Sequence, residues 1–395
     1  MLTKTFVLKE HHPFGGSGKV FFADSAELVR NGLEEYAGRV QVIYLDPPSF
    51  AGGAFEFKDK YAFSDSVEDR SADEYVESIK PVLTACRELL CPSGSLYLHT
   101  DYRLSGKLRL IADEIFGEDN LMNEIIWSYK LGGRSTRFYS RKHDTILFYR
   151  RSRKVFFDIS VTGTPRGNSG KNHMKRRADE NGRIYFTVRT GGREYRYYED
   201  DLVYPTDVWD DIEHLHQRDP ERTGFSSQKP EALLKRVITA SSREGDIVMD
   251  LFGGSGTLAK VAAETGRQFI TADIGAASLF ATRRRLIEAE RETELFSEKA
   301  PFEVVYDDPK ARQTLDKPLE LVKLTPALGG FKVAVLDVKN ACAFAAVGRI
   351  EKGVFHADDY AVRPKEGEGM FLKNDGAIML VDSKLRTGFF ELKDR

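Results

Sequence analysis

The chain has 395 residues, of which 41% are hydrophobic and 30% charged, and its net charge is −2. These values describe a globular protein of more than one domain and exclude a disordered, collagenous or globally basic chain. Cys86, Cys91 and Cys342 show no metal or disulfide spacing, and no apolar run reaches membrane-spanning length, so the expected setting is a reducing cytoplasm with no membrane partner and no metal.

Residues 1 to 20 read as an opening strand and a loop. His11-His12-Pro13-Phe14-Gly15-Gly16-Ser17-Gly18 lacks the strand-then-helix frame of a phosphate loop and is expected to be a flexible turn. Val20-Phe21-Phe22-Ala23-Asp24 is a short strand ending in an acid, and Ser25 caps a helix to about Asn31. Asp24 is a candidate for a place beside a cofactor, and equally a plain cap. Val40-Gln41-Val42-Ile43-Tyr44-Leu45 is apolar and β-branched, which predicts a buried parallel strand. Asp46-Pro47-Pro48-Ser49 follows. The prolines stop the ladder and leave an acid at the carboxyl end of a strand, where open α/β sheets place their chemistry. Because proline has no N–H, this turn offers acceptors only, which suits an amino group with two hydrogens to donate, such as the exocyclic amine of a base. A lone D-P-P is also common turn chemistry, and its weight here comes from a second stretch far downstream.

Phe50 to Phe57, with Tyr61 and Phe63, reads either as an aromatic flap over a cleft or as a loop pinned by its aromatics. A helix is expected from Ala72 to Leu90 with a break or kink before Pro81. Then come a turn at Pro92-Ser93-Gly94, a strand from Ser95 to Asp101, a helix from Leu104 to Phe116, a strand from Glu124 to Tyr129, a turn at Gly132-Gly133-Arg134 and a strand from His143 to Tyr149. Strand and helix alternate and then strand follows strand, so the fold class is α/β, a mostly parallel sheet with a late antiparallel strand.

From Arg150 to Arg196 basic residues crowd together, with few acids and with Phe156, Phe157, Tyr185, Phe186, Tyr195, Tyr197 and Tyr198 among them. In a near-neutral chain this is a local patch suited to phosphate contacts and base stacking, against the plainer reading of a solvated insertion. Ser226-Ser227-Gln228-Lys229-Pro230 opens a helix to Ser242. Asp246 to Phe252 is a strand with an acid near its end, Gly253-Gly254-Ser255-Gly256-Thr257 a glycine turn, and Leu258 to Thr265 a helix. The next strand, Arg267 to Asp273, ends in an acid spaced for a ribose. The glycines do not form G-x-G-x-x-G, so a pyrophosphate cofactor is disfavoured, and acidic strand ends suit a ligand with a ribose and cationic groups, as S-adenosylmethionine has. A helix from Ala277 to about Arg291 follows, and from about Pro301 the chain reads as a small β-rich appendage with strands at 302–306, 330–336, 377–381 and 389–392.

At this point the chain resembles the amino-methyltransferases of DNA in the beta order, and most of all the modification subunits of Type III restriction systems and stand-alone relatives. The resemblance covers about residues 15 to 292 and rests on Asp46-Pro47-Pro48, Leu89-Leu90, the strand to Asp101, Ile126-Trp127, His143 to Leu147, Asp207-Val208-Trp209, Gln228-Lys229-Pro230 and Asp250 to Thr257, in the family's order. It implies a Rossmann-like methyltransferase fold divided as 1–150 (catalytic half), 151–222 (target recognition), 223–298 (cofactor half) and 299–395 (appendage). It also implies methyl transfer from S-adenosylmethionine to N6 of adenine in double-stranded DNA. Asp46, Pro47, Pro48, Ser49 and Phe50 would do the chemistry. Asp250, Phe252, Gly253, Gly254, Ser255, Gly256, Thr257, Asp273, Gln228, Lys229 and Asp24 would hold the cofactor. Arg134, Arg137, Arg166, Lys171, Lys175, Arg176 and Arg177 would meet DNA. The family's motif is usually D-P-P-Y. Here Ser49 stands in place of the aromatic that stacks on the extruded base, leaving Phe50 or a flap aromatic such as Phe55 to replace it. N4 of cytosine, an inert DNA-binding relative and a protein-glutamine methyltransferase stay open as alternatives, the last disfavoured by motif order. Cys91-Pro92 has the wrong order for a carbon-5 cytosine nucleophile. A homodimer and a partner restriction subunit are further expectations of the resemblance, with a prokaryotic or phage-type, nucleoid-associated location.

Overall fold

The computed structural model describes residues 2–48, 71–130, 135–167, 174–225, 227–291, 300–306, 315–316, 321–335, 342–362, 369–382 and 385–392. At its centre the strands Gly18–Phe22, Gln268–Asp273, Ile247–Asp250, Val40–Leu45, Leu90–Asp101, His143–Arg150 and Leu121–Ser128 lie side by side in that order. The first five run parallel. His143–Arg150 is antiparallel to both of its neighbours, as the sequence predicts. All six residues of Val40–Leu45 are buried, which explains why the strand is apolar but for Gln41, whose amide donates to the Ser93 and Ser241 carbonyls at 2.9 Å.

Helices cover this sheet through amphipathic faces. Ala72–Leu89 starts at a capping box, in which Ser71 and Glu74 each accept from the other's backbone N–H. It runs without a break through Pro81, contrary to the expected interruption. Proline removes one backbone hydrogen bond, and the buried row Tyr75, Val76, Ile79, Val82, Leu83, Cys86 and Leu89 holds both halves on the sheet regardless. Pro92-Ser93-Gly94 is not a separate turn but an irregular stretch within Leu90–Asp101, whose pairing with Val40–Leu45 shifts register there.

The N-terminus differs most from expectation. Residues 9 to 15 form a strand, Lys9–Gly15, antiparallel to Pro301–Tyr306 and parallel to Val354–Val362. The register shift between Pro301 and Phe302 leaves Pro13 and Phe14 without partners in the ladder, where a residue lacking an N–H is tolerated. Through this strand the sheet continues from the central parallel strands into the C-terminal β-rich strands, reaching 15 strands among the described residues. Strands Cys342–Glu351, Val354–Val362, Ala377–Asp382 and Thr387–Leu392 belong to it, and Val322–Ala327, Gly330–Val335 and Gly369–Lys373 make a separate three-stranded sheet.

Candidate functional site

Asp46 leaves the carboxyl end of Val40–Leu45, and Asp250 ends the strand hydrogen-bonded beside it, with Met249 opposite Ile43. The two acids therefore emerge at one edge of the sheet. A cavity of about 300 Å³ opens there, and Asp46, Pro47, Pro48, Tyr75, Tyr129 and Lys229 are among its walls. The Tyr75 hydroxyl donates to the Pro48 carbonyl at 2.5 Å and fixes the turn from behind. Lys229 Nζ donates to Asp46 Oδ2.

Polar residues to which the sequence reading gave no role complete the cavity. His99 Nδ1 lies 2.7 Å from the Tyr44 hydroxyl, and His99 Nε2 lies 3.1 Å from Asp144 Oδ2. The pattern is satisfied when Tyr44 donates to Nδ1 and Nε2–H donates to Asp144. The Tyr129 hydroxyl donates to Asp144 Oδ1 at 3.3 Å. Burial pushes the Asp144 carboxyl up, but the His99 bond and the Lys229 charge outweigh it and hold it below the usual range. One signal could have found this group. Asp144 opens an antiparallel strand, so its first residues land at the same edge as the last residues of its parallel neighbours, and Asp144 pairs with Asp101.

The glycine turn is built for close approach. Gly254 and Gly256 take φ of +50° and +74°. A Cβ on Gly253 would sit 2.2 Å from Thr271 Oγ1, and one on Gly256 would sit 2.7 Å from Thr282 Cα. Asp273 accepts from Gly254 N at 2.9 Å and from Gly275 N at 2.7 Å, so the expected ribose acid also clamps the turn. Asp250 is 5% exposed and accepts from Phe252 N at 2.9 Å. Burial, reinforced by the nearby Asp46 and Asp273 charges, pushes its carboxyl up to about 8. Ser255 and Thr257 share a hydroxyl–hydroxyl bond of 2.9 Å behind the turn, and both are buried.

Two of the expected cofactor residues have partners within their own segments. Gln228 is 1% exposed, and its amide is occupied within its own loop, accepting from Thr223 N at 2.8 Å and donating to the Glu221 carbonyl at 2.8 Å. Asp24 is the N-cap of Ser25–Asn31 and accepts from Glu27 N at 3.0 Å, which makes it the cap. It still stands at the carboxyl edge, because Phe22 pairs with Asp273.

Ser49, Phe50, Phe55, Arg134 and Lys171 lie outside the described residues. Of the other expected DNA contacts, Arg137, Lys175, Arg176 and Arg177 are exposed. Lys175–Ala178, Ile184–Thr190 and Arg193–Tyr198 form a small sheet in which Lys175 and Arg177 share one face and Arg176 takes the other. Arg176 pairs with Glu199 at 3.2 Å. The interleaved aromatics differ from the expected free stacking platform. Arg166 lies over Tyr197 at 4.7 Å, Arg183 over Tyr198 at 4.2 Å and Arg196 over Tyr185 at 5.1 Å. A segment too small for a deep core packs cations on rings instead. The insert rejoins the main sheet where Val208–Trp209 pairs parallel with Ile126 and Trp127.

Residues 40–279 match the N6/N4 methyltransferase family described as DNA methylase. Among similar proteins, the Type II methyltransferase M.EcaI of Enterobacter cloacae is 25% identical over 67% of this chain and 67% of its own. The Type II methyltransferase M.HpaI of Haemophilus parainfluenzae is 29% identical over 68% of this chain and 74% of its own. The DNA adenine methyltransferase YhdJ of Escherichia coli K12 is 28% identical over 63% of this chain and 77% of its own. The two restriction-type names are Type II, not the Type III of the expected resemblance. The solved PvuII DNA methyltransferase (cytosine-N4-specific) shares the fold, with a TM-score of 0.50 at 15% identity, over 74% of this chain and 93% of that one.

Proposed function

This chain belongs to the N6/N4 DNA methylase family, and from that premise we propose that it transfers the methyl group of S-adenosylmethionine to the N6 amine of adenine in DNA. The observation that carries the reading is the shared sheet edge, where the Asp46-Pro47-Pro48 turn and the Asp250 glycine turn leave neighbouring hydrogen-bonded strands. The named activity of YhdJ on adenine, and an acid and not a serine at the head of the D-P-P turn, support adenine over cytosine.

The residues at hand fit the methyl donor. Gly253, Gly254 and Gly256 keep the turn bare of side chains, because Thr271, Phe225 and Thr282 close in where a Cβ would stand, and Asp250 and Asp273 place acids along the turn for a cation and a ribose. The sulfonium supplies an already activated methyl group. The chain's part is to admit a base turned out of the duplex and to align its amine in line with the methyl carbon. An aromatic amine is a weak nucleophile because its lone pair is delocalised into the ring. Asp46 and the Pro47 carbonyl, accepting its two hydrogens, favour a pyramidal nitrogen with a freed lone pair. Tyr75 holds the turn that presents them. Acceptors fixed in advance reorganise little as charge develops.

Two tests follow from this reading. Single-molecule sequencing of DNA from cells expressing the chain should show N6-methyladenine in one sequence context. N4-methylcytosine would change the base, and unmodified DNA would reject the activity. Donor binding should also depend on pH through Asp250. Its carboxyl is held up to about 8, so at neutral pH it is mostly protonated, and a cation binds best to the ionised form. Affinity should therefore rise with pH by up to about tenfold per unit and level off above about 8. Asp250→Asn should flatten that rise in a calorimetric titration. The sign for folding is the reverse. A carboxyl raised from its ordinary value of 3.8 contributes stability fully present below that value and lost as pH climbs to about 8.

A further inference from the structure

Lys229 stands where two needs of the transfer meet. Its backbone carbonyl accepts from Thr257 Oγ1 at 3.2 Å, which ties it to the first residue of the helix behind the glycine turn. Its ammonium lies on Asp46, with 14% of the Lys229 side chain and 23% of the Asp46 side chain exposed. The other cationic side chains among the cavity's described walls are engaged differently. Arg103 grips Asp101 through Nε and a terminal nitrogen at 2.6 Å, and Arg141 lies over Tyr102 and Phe138 at 4.7 and 4.6 Å. The acid given the role of amine acceptor is therefore paired with a cation whose backbone is tied to the helix that follows the glycine turn. A lysine ammonium is a point charge on a flexible stem with three donors, so it can turn from one anion to another without moving the backbone.

Resting on the methyltransferase reading above, we propose that Lys229 is a latch. It covers Asp46 while the donor pocket is empty, and the α-carboxylate of the incoming methyl donor draws it off, so that the amine's acceptor is bared only once the donor is seated. Two anions, Asp46 and the donor carboxylate, then compete for one ammonium, and removing either must change the affinity for the other.

The competition can be measured with S-adenosylhomocysteine, which keeps the carboxylate and transfers nothing. It would be titrated calorimetrically into the full chain, Asp46→Asn, Lys229→Met and the double variant, with melting curves to confirm folding. Asp46→Asn should bind it about three- to tenfold tighter, because the ammonium is released, and Lys229→Met about tenfold weaker. In the Lys229→Met background, Asp46→Asn should change nothing. 5′-Methylthioadenosine, which lacks the carboxylate, should bind all four proteins alike. No tightening in Asp46→Asn, or the same tightening without Lys229, overturns the latch while leaving DNA methylation by the parent intact. A parent that neither binds the probe nor methylates DNA overturns latch and methyltransferase reading together.

Discussion

Asp46→Ala should lower the rate of methyl transfer about a hundred- to a thousandfold while the protein stays folded, the loss expected when a preorganised polar partner of the reacting group is removed. The substitution sits at the sheet edge, past the last fully buried residue of its strand, Leu45, and its side chain is partly exposed, so little packing is lost. The turn itself should persist, since the Tyr75 bond to the Pro48 carbonyl does not involve the Asp46 side chain. Asp46→Asn is the sharper chemical probe, because it keeps the shape and replaces one acceptor oxygen with a donor. Single-turnover transfer of a labelled methyl group to DNA checks both variants. A parent-like rate in either would falsify the role given to Asp46, and a large fall in melting temperature would assign the loss to folding.

What was legible in the chain follows a physical division. Buried parallel strands are mostly apolar, so Val40–Leu45 stands out despite Gln41, as do the acids left where such strands end. Glycines forced by a near clash, such as Gly253 against Thr271, also leave a trace in sequence. Partnerships between distant side chains leave none. Nothing local in Lys229 says that its ammonium reaches Asp46, across a separation of 183 residues. The basic insert was visible by composition, yet composition does not say that Arg166, Arg183 and Arg196 lie on the insert's own tyrosines. Residues 11 to 18 read as a turn because Pro13, Gly15 and Gly16 are turn residues, and only the partner strands Pro301–Tyr306 and Val354–Val362, far along the chain, make Lys9–Gly15 a strand. Nor does a division of the chain at residue 299 say that Lys9–Gly15 pairs with strands on the far side of it, Pro301–Tyr306 and Val354–Val362.

At that junction, Arg283→Met should destabilise the protein by about 3–5 kcal/mol, the usual result of leaving a buried charge without its partner. Arg283, on the helix Ala276–Arg291, is 1% exposed and forks onto Glu10 of the strand Lys9–Gly15, Nε to Oε2 at 3.0 Å and a terminal nitrogen to Oε1 at 2.6 Å. His12 Nε2 lies 2.8 Å from the same carboxylate, and the Tyr306 hydroxyl donates to it. Burial alone would raise the Glu10 carboxyl, but the Arg283 guanidinium, with His12 and Tyr306, holds it at about 2. A group depressed in this way contributes stability present above its ordinary value of 4.5 and lost as pH falls through about 2, so the parent should weaken on acidification across that window. In Arg283→Met the carboxylate has lost its main counter-charge and must be protonated to stay buried, so the acid-side loss should shrink or reverse. Glu10→Gln should destabilise for the mirror reason, leaving Arg283 buried beside a neutral amide. The double change Glu10→Met with Arg283→Met should recover most of the stability, because two apolar side chains need no partner. Urea unfolding of the parent, both single variants and the double variant reads all of this in one series. If each single change costs under about 1 kcal/mol, water reaches the pair and it is not the bolt between catalytic sheet and appendage.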